Sequence, residues 1–137
     1  MKKTETIRAL KFSDIPKEVK QFMPPFQQDI IIGSVEHWDI IKNLQEIINK
    51  TLETYGTEKI ETPKKIVYLH YFFGGSDWYI IEKDIEEEQL QAYGYVVLNG
   101  NTDFAEWGYI NIEELKDTCK VELDFFWIPK PFEEINA

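Results

Sequence analysis

The sequence predicts an α+β fold: a curled antiparallel sheet of about five strands covered by one long helix, with short helices near the N-terminus and late in the chain. Three observations carry that expectation. Apolar residues recur at helical spacing before residue 56, and the period changes to two from Lys64 onward. The strand-like runs are also joined by short glycine-bearing turns rather than by helices, which favours antiparallel pairing. At 137 residues one domain over 1–137 suffices, helical over 1–60 and sheet-forming over 64–130.

The stretch "SDIPKEVKQFMPP" reads as a short helix with Ser13 or Asp14 as N-cap, Pro16 near the first helical position and Pro24-Pro25 as its stop. Ile15, Val19, Phe22 and Met23 then point inward. The next segment runs from Ser34 as N-cap to Gly56 as stop. At 100° per residue, it places Trp38, Ile40, Ile41, Leu44, Ile47, Ile48, Leu52 and Tyr55 on one half of a helix. A helix over Ser34–Tyr55 of this amphipathicity is wide enough to cover a sheet face.

"KKIVYLHYFF" and "WYIIEKD" are rich in β-branched and aromatic residues, and Gly74-Gly75-Ser76-Asp77 lies between them. Glycine there supplies the positive φ that a tight hairpin needs, with Gly75 the expected site. A phosphate-binding loop is disfavoured because no Lys-Ser/Thr pair follows the glycines at the mouth of a helix. "IEEEQLQ" links to "AYGYVVL", and Asn99-Gly100 turns the chain into "FAEWGYI", a second hairpin. Asn111 caps a short helix with Glu113 and Glu114 in its first turn. "KVELDFFWIP" is the last strand, ended by Pro129 and Pro131.

Net charge is −10 and unevenly spread. Residues 1–76 carry 11 Lys/Arg against 10 Asp/Glu, residues 77–137 carry 4 against 15, so the halves stand at +1 and −11. Such an acidic half repels phosphate backbones and attracts basic protein surface. The aromatic strands lie in that same half, so direct nucleic-acid binding, which needs basic residues beside the stacking rings, is not expected. No apolar run approaches the roughly 20 residues of a membrane span, the opening "MKKTETIRALKF" lacks a signal-like apolar core, and Cys119 is the single cysteine. These point to a cytoplasmic setting.

Catalytic chemistry would have to come from carboxylates and two histidines. Glu82 and Asp84 share one strand face, as do Glu122 and Asp124. If their strands were neighbours, four carboxylates could gather round Mg²⁺ or Mn²⁺. His70, alternating with Tyr68 and Phe72, reads as a satisfied structural histidine, His37 as part of an apolar helix face, and Cys119 as a small apolar residue. No Ser-His-Asp order, zinc spacing or dinucleotide fingerprint occurs. No catalytic residue and no cofactor is expected.

The ordered set "HYFFGGSDWYIIEKD", "AYGYVVLNGNTDFAEWGYINIEEL" and "VELDFFWIPKPFEEI" resembles the bacterial family known as domain of unknown function 2958. The likeness covers roughly residues 66–135. It rests on Trp78, Tyr79, Glu82 and Asp84; Tyr93, Gly94 and Tyr95; Glu106, Gly108, Tyr109, Glu113 and Leu115; and Glu122, Asp124 and Pro129. The resemblance implies carriage on phages, plasmids or conjugative elements, and it brings no established activity. With the charge pattern it gives the expected function: a non-enzymatic protein-binding accessory of a mobile element. One form of this is an inhibitor of a host defence effector such as a CRISPR nuclease. Its partner would be a basic host or element protein, a nucleic-acid-binding effector among them, met through Trp78, Tyr79, Glu86, Glu87, Glu88, Glu106 and Trp107. The alternative is a metal-dependent enzyme acting on nucleic acid or nucleotides through Glu82, Asp84, Glu122 and Asp124.

Overall fold

A computed structural model describes residues 8–53, 56–84, 90–117 and 120–135. The chain is α+β. Its helices are α1 (Lys17–Phe22), α2 (Pro25–Ile31), α3 (Trp38–Lys50) and α4 (Ile112–Asp117). Its strands are β1 (Leu52–Glu53), β2 (Ile66–Val67), β3 (Leu69–Phe73), β4 (Ser76–Asp84), β5 (Gln91–Val97), β6 (Glu106–Asn111), β7 (Glu122–Leu123) and β8 (Lys130–Pro131). Five strands form an antiparallel sheet in the order β6-β5-β4-β3-β7. The short β1 adds in parallel to β4 beyond the end of β3, and β2 pairs with β8 in a separate two-stranded ribbon. Among the described residues no helix is long and apolar enough to cross a membrane.

The helical cover is shared rather than carried by one long helix, and the sheet, expected to be curled, is not strongly so. One buried cluster runs from Leu10 to Leu123 and takes Val19 and Phe22 from α1, Ile31 from α2, Ile41, Leu44 and Ile48 from α3, and Ile112 and Leu115 from α4. These meet Leu69, Tyr71, Ile80, Ala92 and Ile110 of the sheet. The inward set expected for α1 is buried as read, with Ile15 and Met23 completing it.

Several boundaries differ from the sequence reading: α1 is capped at Pro16 rather than Ser13 or Asp14, the first strand run divides at Tyr68 into β2 and β3, and β6 starts only at Glu106. Pro24-Pro25 does end α1, but Pro25 is also the first residue of α2, where proline's fixed φ and missing N–H cost nothing. The central helix is shorter than Ser34–Tyr55. The Ser34 hydroxyl accepts from the Glu36 N–H in a turn before α3 begins at Trp38. At the other end Thr51 leaves helical geometry (ψ 127°), its hydroxyl donates back to the Ile47 carbonyl, and Leu52–Glu53 joins β4. Tyr55 lies outside the described residues. The last strand contracts to Glu122–Leu123, because Asp124 starts a turn in which its side chain accepts from the Phe126 N–H. Pro131, expected to end that strand, sits in β8 instead.

Two buried glutamines fix the α2 region. The Gln27 amide donates to the Leu123 carbonyl at 3.0 Å and accepts from the Leu123 N–H at 2.8 Å, closing the outer edge of β7. Gln28 donates to the Met23 carbonyl at 2.8 Å at the end of α1. At the late helix Asn111 caps as expected, its side chain accepting from the Glu114 N–H at 3.0 Å.

Candidate functional site

Side chains alternate across a strand, so the residues that face the helices leave their neighbours on the opposite face. There β3 presents His70 and Phe72, β4 presents Asp77 and Tyr79, β5 presents Tyr93 and Tyr95, and β6 presents Trp107 and Tyr109. The register shift between Ile80 and Glu82 sets the far end of β4 so that Glu82 pairs with Tyr93 on the aromatic face and Lys83 with Ala92 on the helix face. Lys83 is buried there and donates to the Ile48 carbonyl at 2.7 Å, satisfying the end of α3. The C-terminal segment crosses the aromatic face and lays Trp127 and Phe132 on it.

Two ring clusters result. In one, Tyr95 and Trp107 lie 5.2 Å apart and both meet Phe132, at 4.9 and 4.8 Å, while Tyr93 stacks on Trp107 and meets the edge of Tyr109. Such spacings are those of favourable offset and edge-on pairs. In the other, the His70 ring stacks on Tyr79 at 5.0 Å and 10°, with Phe72 and Trp127 against it. Cross-strand pairing of Tyr79 with Tyr95 joins the two. Most of these rings are half-buried, and Tyr109 is 53% exposed.

His70 also lies between two carboxylates. Its Nε2 is 2.7 Å from Asp77 and its Nδ1 is 3.0 Å from Asp124. A neutral imidazole has one N–H and donates to one of them; only the doubly protonated ring donates to both. With both nitrogens engaged, His70 fastens the Asp124 turn to the sheet and offers no free nitrogen for proton transfer to a ligand. The reading of His70 as a satisfied histidine agrees with this. Asp77, placed in the turn by the sequence reading, is the partner that reading lacked. The turn is Gly74-Gly75 alone, so β4 begins at Ser76 and Asp77 falls opposite Phe72, diagonal to His70.

The four carboxylates of the enzyme alternative are not gathered. β3 stands between β4 and β7, which separates Glu82 and Asp84 from Glu122 and Asp124. Glu82 is buried and accepts from the Thr57 N–H at 3.2 Å and from the Thr57 hydroxyl, which in turn accepts from Lys65 at 2.9 Å. That chain holds the 57–65 connector to the sheet. Asp84 is half-buried at the end of β4, Glu122 is exposed on the edge strand, and Asp124 is bound up with His70. Among the described residues no group of three or more His, Cys, Asp or Glu side chains could hold a metal ion.

The residues expected to meet a partner divide between the two faces. Tyr79 and Trp107 lie on the aromatic face, while Trp78 and Glu106, one position away on each strand, lie on the helix side. Trp78 packs against the core and lines a cavity of about 300 Å³ beside α4. Glu86, Glu87 and Glu88 fall outside the described residues, as does Cys119. His37 is half-buried at the N-cap of α3, its Nδ1 3.4 Å from the Ile31 carbonyl.

The strands of the face carry mostly negative charge, while the C-terminal strap brings one cation to it, the Lys130 ammonium 4.6 Å from the centre of the Trp127 ring. Among the described residues of β3 to β7 the only Lys or Arg is Lys83, which is turned to the helices, whereas Asp77, Asp84 and Glu122 lie at or near the aromatic rings. Burial, then the Asp77 charge and Tyr95, push the Tyr79 phenol up to about 12. Burial alone raises the fully enclosed Tyr71, whose hydroxyl donates to the Phe22 carbonyl. Comparison with protein-family models, curated proteins and solved structures finds no match in any of the three.

Proposed function

We propose that the chain is a non-enzymatic protein-binding module that meets a basic partner through the aromatic, carboxylate-flanked face of its sheet. The observation that carries this is the composition of that face: half-buried rings of Tyr79, Tyr93, Tyr95 and Trp107 flanked by carboxylates, with no cation presented by β3 to β7 among the described residues and Lys130 of the strap confined to the Trp127 ring. Half-exposed Tyr and Trp give large contact area at low entropic cost, and they are the residues in which binding energy concentrates. The charge of −11 on residues 77–137 adds long-range attraction for a basic surface. On the resemblance to the domain of unknown function 2958, the setting is a mobile element and the partner a host or element protein. A defence nuclease, whose nucleic-acid channel is basic, fits that description.

The test is affinity purification from the native host with wild type and with a Tyr95→Ala, Trp107→Ala double variant, followed by mass spectrometry. The reading expects a basic protein that is retained by wild type, lost with the double variant and eluted by salt. A co-purifying protein retained equally by both would overturn it.

A further inference from the structure

The edge of the sheet at β7 carries a narrower reading, one that rests on the partner-binding role above. Between α2 and residues 122–126 lies an open groove of about 410 Å³, within the roughly 300–1,000 Å³ usual for ligand clefts. Its walls include Ile30, Phe72 and Phe126 together with Glu122 and Asp124. Ile30 is 63% exposed and Phe126 78% exposed, so two large apolar side chains stand open to water at its mouth. Both charged residues lining it are acidic.

The strand edge in the groove is already closed, because Gln27 satisfies both the N–H and the C=O of Leu123. An added strand would find that backbone pair taken, so recognition falls to side chains. Glu122 and Asp124, two residues apart on either side of Leu123, supply carboxylate oxygens; Asp124 is held in place by His70 and by the Phe126 N–H at 3.1 Å. Apolar walls with paired carboxylates suit a cation on an apolar stem. Arginine fits better than lysine, since its planar guanidinium bridges carboxylates through several donors and packs on aromatic faces.

We propose that this groove takes an arginine side chain of a basic partner protein, its guanidinium at Glu122 and Asp124 and its methylene stem against Phe72, Phe126 and Ile30. Charge complementarity selects this occupant over a second copy of the chain, whose corresponding half is equally acidic.

The experiment is an NMR amide titration of the ¹⁵N-labelled full chain with the peptide acetyl-Leu-Arg-Leu-Arg-amide and with its citrulline counterpart, which keeps the shape and removes the charge. The arginine peptide is expected to give saturable shifts centred on Ile30, Phe72, Glu122 and Phe126, and the citrulline peptide to bind at least tenfold more weakly. Glu122→Gln and Ile30→Ser, both exposed and each tested alone, are expected to weaken the arginine peptide severalfold with the remaining spectrum unchanged. Equal binding of the two peptides, indifference to both variants, or no saturable response would overturn the groove. Shifts centred instead on Tyr93, Tyr95 and Trp107 would also overturn it while leaving the broader partner-binding reading intact.

Discussion

A side chain added at Gly94 would place its Cβ 1.9 Å from the carbonyl oxygen of Tyr79, on the neighbouring strand. Backbone cannot yield there without breaking the β4–β5 ladder, so Gly94→Ala should cost at least about 2–3 kcal/mol, measured by urea denaturation. The hairpin glycines behave differently. Gly74 holds the positive φ of +59°, whereas Gly75, to which the sequence reading assigned it, does not, and a Cβ at Gly75 would meet atoms no closer than 3.5 Å. Gly74→Ala should therefore lose about 1 kcal/mol and Gly75→Ala much less; equal losses would contradict this. Asn99-Gly100 was legible because both residues take positive φ, the backbone that this dipeptide specifies. The buried phenols set an alkaline limit. Tyr79 ionises at about 12 in the folded chain, against an ordinary value near 10. A raised acid pKa means the fold favours the protonated form. That contribution is intact below pH ~10 and is lost as pH climbs toward ~12. Thermal melts should thus hold level to about pH 10 and fall beyond it, and Tyr79→Phe should flatten part of that fall.

Elements were legible where one face is apolar throughout, and lost where a side chain had to reach backbone far away in sequence. Ile41, Leu44, Ile47 and Ile48 announced α3 by spacing alone, yet its C-terminal end depends on Thr51 bonding back to Ile47 and on β1 joining β4, which no local pattern records. α2 was invisible because its proline pair read only as a stop and its buried polar residues, Gln27 and Gln28, have partners fixed by tertiary contact. The Gln27 clasp is open to test. Gln27→Leu keeps bulk but strands the Leu123 N–H and C=O, so a loss of about 1–3 kcal/mol is expected in denaturant melts. No change would mean the β7 edge does not depend on it. The His70 fastening is a second element-scale test: His70→Ala should release the Asp124 turn, shift Trp127 emission to the red and lower stability by about 1.5–3 kcal/mol. Neither Asp77 nor Asp124 could be matched to His70 from sequence, because that match needs the two-residue turn and the shortened β7 together.

At the scale of the whole molecule, the sheet has two unlike faces, one closed by four helices and one built of rings and acids under a C-terminal strap. The acidity of residues 77–137 was plain in the sequence, but which acids stand beside the rings was not, since that follows from strand order and from the shift between Ile80 and Glu82. Strand order also dispersed the carboxylates that a metal site would have needed, by setting β3 between β4 and β7. If the aromatic face is the contact, charge governs the approach of the partner and the rings govern its departure. The most direct measurement is the association and dissociation rate of the co-purified basic partner, from about 0.05 M to about 0.5 M salt, where the Debye length falls from about 14 Å to about 4 Å. It should be made on wild type and on Trp107→Ala and Tyr109→Ala chains with unchanged melting curves. The account predicts that association slows at least tenfold across that range for every chain, and that both variants dissociate at least tenfold faster than wild type. Wild-type dissociation rates in both variants, with association indifferent to salt, would contradict it.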